Sequence, residues 1–450
     1  MPRLLSGVRA ARAAHAGIVR AVPAAAKPVE EVRRSKGGFE PRTSFAYPAT
    51  VPSWYIGHMH RAMRSLPALL ARSPPPLVVE VRDARIPLTS INPNFESVLQ
   101  EVPHAEDKMR VAPGKRLPGW AARRLVVYTK RDLIDRACEA PLIEALEKHG
   151  QSAMFVDARQ KRDVQRVYDW VCQRAALLGR EVARAAARAG HLYRPSRVSG
   201  AARYTPTPET GIRLLIVGMP NVGKSSLLNA LRFVGTGKKG AASTHPHPGH
   251  TRKVTGTVRI TPAPPSLSAM EMEGETVDMK ALVAQQAQQA PAVYVYDTPG
   301  IMVPYLGTAD DHGPERALKL AIAGCMKQTL FDPQVLVDYL LYRMNQRYVA
   351  QKGDAPPPYT KLMRTPHPTD DAAEFLAQVA ERAPGARQRG GELSLAVAAD
   401  YVLEQFRRGA LGSRELDLSL DEGHSGARAA QIHARTAAVL SPVEAKNGGT

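Results

Sequence analysis

Five short apolar runs, each ending in polar residues, punctuate the first two-thirds of the chain: "LVV" within "PPPLVVEVRDARIP", "LVVYT" before Lys130, "SAMFV" before Asp157, "IRLLIV" before Gly218 and "AVYVY" before Asp297. Continuous apolar runs of this length, bounded by Pro, Gly or charge, read as strands buried on both faces. Between them the apolar positions recur every three or four residues. "SWYIGHMHRAMRSLPALL", "APLIEALEKHG" and residues 161–190 read as helices, and "TGTVRI" as a further strand. This alternation implies an α/β fold, a mostly parallel sheet with helices on both faces.

From about Pro314 the pattern becomes purely helical, which marks residues 313–417 as a separate helical domain. Two stretches interrupt the alternation. Residues 101–121 are charged and contain Pro and Gly; residues 262–290 are low in complexity. Both read as inserted loops. "RPSRVSGAARYTPTPET" reads as a linker, and the Gly/Ala/Ser-rich residues 418–450 as a disordered tail.

Composition adds a partner and a compartment. The formal net charge of +19 favours a polyanion, nucleic acid or an anionic membrane surface. No apolar run reaches the roughly 20 residues of a membrane helix. Three scattered cysteines without CxxC spacing argue against a disulfide framework or a zinc site. The first segment has no acid before Glu30 and spreads Arg3, Arg9, Arg12 and Arg20 among Ala, Leu and Val. That is the composition of an organelle transit peptide, so residues 1–50 read as transit peptide and flexible leader. The arginine spacing and scarcity of serine favour the mitochondrion, with the plastid as the alternative.

The candidate chemistry begins at Gly218-Met-Pro-Asn221-Val222-Gly223-Lys224-Ser225-Ser226, a complete G-x-x-x-x-G-K-[ST] motif between a strand and a helix. Backbone N–H groups of such a loop face phosphates. Lys224 is expected to reach the β- and γ-phosphates and Ser225 to bind Mg²⁺. Asp297-Thr-Pro-Gly300 ends the last buried strand, where a carboxylate can hold Mg²⁺ and the Gly300 N–H can meet the γ-phosphate. Between them, Thr251 of "PGHTR" is the candidate switch hydroxyl for the metal, with Thr244 second.

The part that reads the base lies upstream. In "LVVYTKRDL", Asp132 can accept from the N1–H and exocyclic amine of guanine, a donor pair that adenine lacks. The Lys130 stem would lie over the base plane, and Thr129 stands where Asn is more usual. The downstream competitor, Gln351 to Asp354, follows no buried strand. The order is therefore permuted: base-reading loop first, phosphate loop, switch and DTPG afterwards, within a GTPase domain spanning residues 51–312. Where Ras-like enzymes carry a water-orienting Gln after the DxxG glycine, Ile301 stands here.

That order, together with "WYIGHM", "VRDARIPLTSINPNF", "TKRDL", "GMPNVGKSSLLNAL", "PGHTR", "DTPGI" and "FRRGALG", resembles the YlqF/RbgA circularly permuted GTPases, and with a transit-like N-terminus their mitochondrial, ribosome-associated members. The resemblance spans about Ser53 to Leu416. It implies a circularly permuted P-loop GTPase domain plus a C-terminal helical domain. It implies a monomer that turns GTP into GDP and phosphate in assembly of the mitochondrial large ribosomal subunit, with ribosomal RNA as main partner. Mitochondrial translation and a peripheral contact with the matrix face of the inner membrane are further expectations. The resemblance makes His58 the catalytic group, Ala158 a second base contact, and Asn221 the asparagine of potassium-activated GTPases, so that K⁺ joins Mg²⁺ as an expected cofactor. The chain departs from the family at Thr129 and Ile56. A GTP-dependent binding module with little hydrolysis and a GTPase acting at a membrane are the competing expectations.

Overall fold

The computed structural model describes residues 39–49, 57–72, 75–102, 108–112, 114–188, 211–240, 258–262, 292–302, 306, 312–350, 356–388, 390–412, 416–417 and 425–440. The strands are β1 (Leu77–Asp83), β2 (Lys108–Ala112), β3 (Lys115–Pro118), β4 (Arg124–Thr129), β5 (Ser152–Val156), β6 (Ile212–Val217), β7 (Val258–Arg259) and β8 (Val293–Asp297). Six of them form one sheet in the order β5-β4-β1-β6-β8-β7. All its pairings are parallel except that of β7 with β8. Because β4, β1, β6 and β8 run the same way, the loops after Thr129, Asp83, Val217 and Asp297 emerge along one edge of the sheet, the edge at which open α/β sheets bind ligands.

The helices of this part are α1 (Gly57–Leu70), α2 (Pro93–Glu101), the short α3 (Gly119–Arg123), α4 (Glu139–Lys148), α5 (Lys161–Arg188) and α6 (Lys224–Thr236). Side chains alternate across the strands. Val79 and Val81 of β1, with Leu125 and Val127 of β4, face α5 and α6, while Val78, Leu215 and Val217 face α1 and α2. On that second face, Val126, Tyr128 and Phe155 pack against α4. Between these two apolar clusters lies a buried charge network. Arg82, fully buried, donates from Nε to Glu80 (2.7 Å), and Arg124 donates to Glu80 and, from NH1, to Glu96 (2.7 Å).

The helical region holds α7 (Gly313–Ile322), α8 (Pro333–Ala350), α9 (Ala372–Ala380) and α10 (Leu395–Arg408). Its residues Leu318, Leu340, Phe375 and Phe406 belong to the same continuous apolar cluster as the sheet residues Val79 and Val127. The expected helical domain therefore shares one continuous apolar cluster with a face of the sheet.

Three expectations change. Within residues 101–121, β2 and β3 form an antiparallel hairpin turning through Gly114 at φ +75°, and Trp120 of α3 is buried; the charged positions lie on a hairpin rather than a loop. Within the expected disordered tail, α11 (Ser425–Leu440) packs on α4, burying Ile432 and Thr436. Its Ala-rich composition, which resembles low complexity, is also good helix-forming composition. Within the expected leader, residues 41–47 lie on α8. Arg42 donates from its backbone N–H to Asp370 (2.7 Å) and pairs with Asp338, and Phe45 packs edge-on against Tyr339 with ring centroids 5.2 Å apart. The leader therefore gives way to folded chain before residue 50. No described helix is long and apolar enough to cross a membrane.

Candidate functional site

The phosphate-type loop joins β6 to α6. Gly218 lies at φ +147°, and a Cβ there would come within 2.2 Å of the Val81 carbonyl, so only glycine lets the loop leave the sheet against β1. Gly223 caps α6 at φ +97°, which exposes the first N–H groups of the helix toward the loop's hollow. Lys224 is buried and its ammonium lies on the Met219 carbonyl, 2.7 Å away. Ser225 is half-buried at the second position of α6, and Ser226 is exposed. Val222 is buried, and its carbonyl accepts from the Thr129 hydroxyl.

That last contact is the hydrogen bond the Thr129 hydroxyl makes where an amide is the more usual residue. A hydroxyl has one proton to donate, and here it ties the end of β4 to the phosphate-type loop across β1. Lys130 makes a second tie. At φ +60° it turns its side chain back over the edge, and its ammonium donates to the Asn221 carbonyl (2.8 Å) and to Asp83 (2.7 Å). Asp132 follows in a single turn of 3₁₀ helix, its carboxylate 2.7 Å from an Arg159 guanidinium nitrogen. Arg159 is in turn gripped by Asp157 through Nε and NH2, both at 3.0 Å. Ala158, half-buried between them, sits at the same edge of the sheet.

Asp297 is the last residue of β8, in register with Ile216 of β6; its side chain and the whole of Thr251, Thr244 and the histidine-rich loop lie outside the described residues. Gly300 closes on the loop, where a Cβ would meet Pro220 at 2.7 Å, and the Ile301 N–H donates to the Gly218 carbonyl (3.1 Å). The Ile301 side chain is buried in the apolar cluster of α1 and α2, so it offers nothing to a water. His58 belongs to the first turn of α1; its side chain lies outside the described residues. The donors expected for Mg²⁺, a helix-end hydroxyl and a strand-end carboxylate, are hard oxygen ligands of the kind that ion takes together with phosphate and water. Among the described residues no group of three His, Cys, Asp or Glu side chains forms a metal site of its own.

Asp83, Arg85, Asp157 and Arg159 take part in this edge and were not singled out from sequence. The signal available for the first two is their position at the end of an apolar strand in "VRDARIP"; for the last two it is an acid and a base flanking Ala158.

A mostly parallel sheet whose base-type loop precedes its phosphate loop, both at one edge, defines a circularly permuted P-loop GTPase. A family model described as "50S ribosome-binding GTPase" matches residues 213–337, beginning at the strand before the phosphate loop. Mitochondrial GTPase 1 of Schizosaccharomyces pombe is 30% identical over 84% of this chain and 93% of its own length. Mitochondrial ribosome-associated GTPase 1 of Xenopus tropicalis is 26% identical over 82% and 94%. The solved structure of YlqF from T. maritima with GNP bound covers 79% of this chain at 16% identity and a TM-score of 0.40. The chain belongs to the mitochondrial GTPase 1 family.

Proposed function

We propose that this GTPase works in mitochondria on the large ribosomal subunit, binding it in the GTP state during assembly and leaving after hydrolysis. The observation that carries the reading is the formal net charge of +19 on a chain whose relatives include one named for ribosome association. Phosphate-rich RNA is the partner such a surplus favours. Two cations of the helical region are engaged internally: Lys319 is buried between Glu315 and Asp417, and Arg407 caps the carbonyls of Ala321 and Ile322. The contact is carried by others, such as exposed Lys327 and half-buried Arg343.

At the site, the N–H groups of Val222, Gly223, Lys224, Ser225 and Ser226 cradle the phosphates, with Gly300 at the γ-phosphate. Ser225, Asp297 and Thr251 would hold Mg²⁺, and Asn221 a K⁺; bound there, the cations offset phosphate charge as it redistributes toward the leaving GDP. Asp132 takes the guanine N1–H and N2–H, Lys130 lies along the base and Ala158 meets its edge. The Ile301 side chain is buried and offers no group to a water; the family resemblance makes His58 of α1 the group that would orient it. Burial of Ile301 also favours a second reading, a GTP-dependent binder with little turnover.

The test is a sucrose gradient of mitochondrial extract with the protein followed in GTP and in GDP, alongside turnover measured with and without large subunits. Co-migration with large-subunit particles in GTP, release in GDP and stimulated turnover are expected. Migration away from those particles in both nucleotides would sink the ribosomal reading, and binding without stimulation would favour the second.

A further inference from the structure

β1 lies between β4 and β6 in the sheet, so the end of β1 stands between the base-reading loop and the phosphate loop. Asp83 occupies that end with no exposed surface. Its Oδ1 accepts from Arg85 Nε (2.9 Å) and the Arg85 N–H (3.0 Å), and its Oδ2 accepts from Arg85 NH2 and Lys130 Nζ, both at 2.7 Å. Burial alone would raise this carboxyl; Arg85 and Lys130 outweigh it and hold Asp83 well below the usual carboxylate range. Asp83 is therefore a fixed negative charge with cations on either side.

Each cation reaches onward. Lys130 bridges to the carbonyl of Asn221 in the phosphate loop (2.8 Å). Arg85 reaches the carbonyl of Ala323 at the carboxyl end of α7 (2.7 Å). The circuit closes through Asn221, whose Nδ2 donates to the next carbonyl, that of Gly324 (3.0 Å). Gly324 turns at φ +81°, which aims successive carbonyls of this helix end at different partners.

We propose that Asp83 is a positioning residue of the nucleotide site: by anchoring Lys130 and Arg85 together it holds the base-reading loop, the phosphate loop and the end of α7 in one arrangement. A lysine over the base plane is useful only if its stem is held there, and a flexible four-carbon chain must be restrained at its tip. Asp83 supplies that restraint from beneath. The same carboxylate, through Arg85, makes the attachment of the helical region part of the geometry that nucleotide meets.

The inference rests on reading Lys130 to Asp132 as the base-reading loop, and the experiment separates the two. GDP affinity is measured by calorimetry for the full chain, for Asp83→Asn, for Lys130→Met and for the pair, with thermal unfolding recorded for each. Charge-assisted contacts of this kind give losses of roughly tenfold for each single variant. The pair is expected to lose little beyond the larger single loss, because Asp83 acts through Lys130; independent residues would multiply to roughly a hundredfold. Should Asp83→Asn fail to fold with Arg85 left uncompensated, Asp83→Asn/Arg85→Met, which removes both buried charges, takes its place in the cycle. Multiplying losses, or a normal affinity in the Asp83 variant, would overturn the proposal alone. An unchanged affinity in Lys130→Met would overturn the base-loop reading and this proposal with it.

Discussion

An Arg159 guanidinium nitrogen lies against the Asp132 carboxylate, where the proposed reading puts the donors of guanine. The contact is 2.7 Å, and the Arg159 side chain is 71% exposed. On that reading an incoming base displaces Arg159, and the pair stabilises the empty site. Exposed ion pairs are weak, and removing one changes an equilibrium by about two- to fivefold. Arg159→Ala is expected to bind GDP tighter by about that factor, with the gain shrinking at high salt as the pair is screened. Titration with a fluorescent GDP analogue at two ionic strengths checks this; weaker binding would show instead that Arg159 contacts the bound base. Glu96 makes a different test. Burial would raise its carboxyl, but Arg124 and Arg82, with the Gln151 amide, hold it down at about 2 against an ordinary 4.5. A depressed pKa stabilises the fold above the unfolded value, and that contribution fades as pH falls from about 4.5 toward 2. Unfolding by urea should therefore show Glu96→Gln less stable than the parent at pH 6, with the gap narrowing at pH 3. Residues of the motifs were legible in the sequence because the chemistry of a phosphate loop demands particular types at fixed spacing. Asp83 and Arg159 were not, because their importance comes from which strand lies next to which and from partners far along the chain.

Elements were legible where an apolar period was long and uninterrupted: β1, β4, β6 and β8 stand where the runs "LVV", "LVVYT", "IRLLIV" and "AVYVY" place them. They were hidden where composition imitates disorder. Helix α11 has 16 residues in a Gly/Ala-rich region and is a helix that needs its neighbour; Ile432, Val439 and Leu440 meet α4. Deleting buried methyl groups costs about 2–5 kcal/mol for Ile→Ala, depending on how far the site collapses. Ile432→Ala is expected near the low end of that range, since α11 lies at the periphery and can shift. Chemical denaturation measures it, and a change below about 0.5 kcal/mol would mean that α11 does not dock in solution. The hairpin of β2 and β3 was concealed for the opposite reason, since its charges suggested solvent while Met109 and Trp120 are buried.

At the scale of the whole molecule, the sheet consists of two blocks, each continuous in sequence. β5, β4 and β1 come from residues 77–156, and β6, β8 and β7 from residues 212–297; among the described residues the only strand pairing between the blocks is that of β1 with β6. The base-reading loop belongs to the first block and the phosphate loop to the second. On the proposed reading GTP spans a seam, with its base on one block and its phosphates on the other. A cut in the expected linker, between residues 194 and 210, would divide the chain along that seam without severing a described strand. Two co-produced fragments, 39–200 and 201–450, are expected to reassemble through β1 with β6, α11 on α4 and residues 41–47 on α8, and GDP should lower the concentration at which they do so, because a ligand that touches both pieces adds its binding free energy to their association. Analytical ultracentrifugation of the fragments with and without GDP reads the effect, and nucleotide-independent association would show that the pieces are joined by the protein core alone. The permuted chain thus carries within it the design of a two-part sensor, in which the presence of guanine nucleotide is reported by whether two polypeptides stay together.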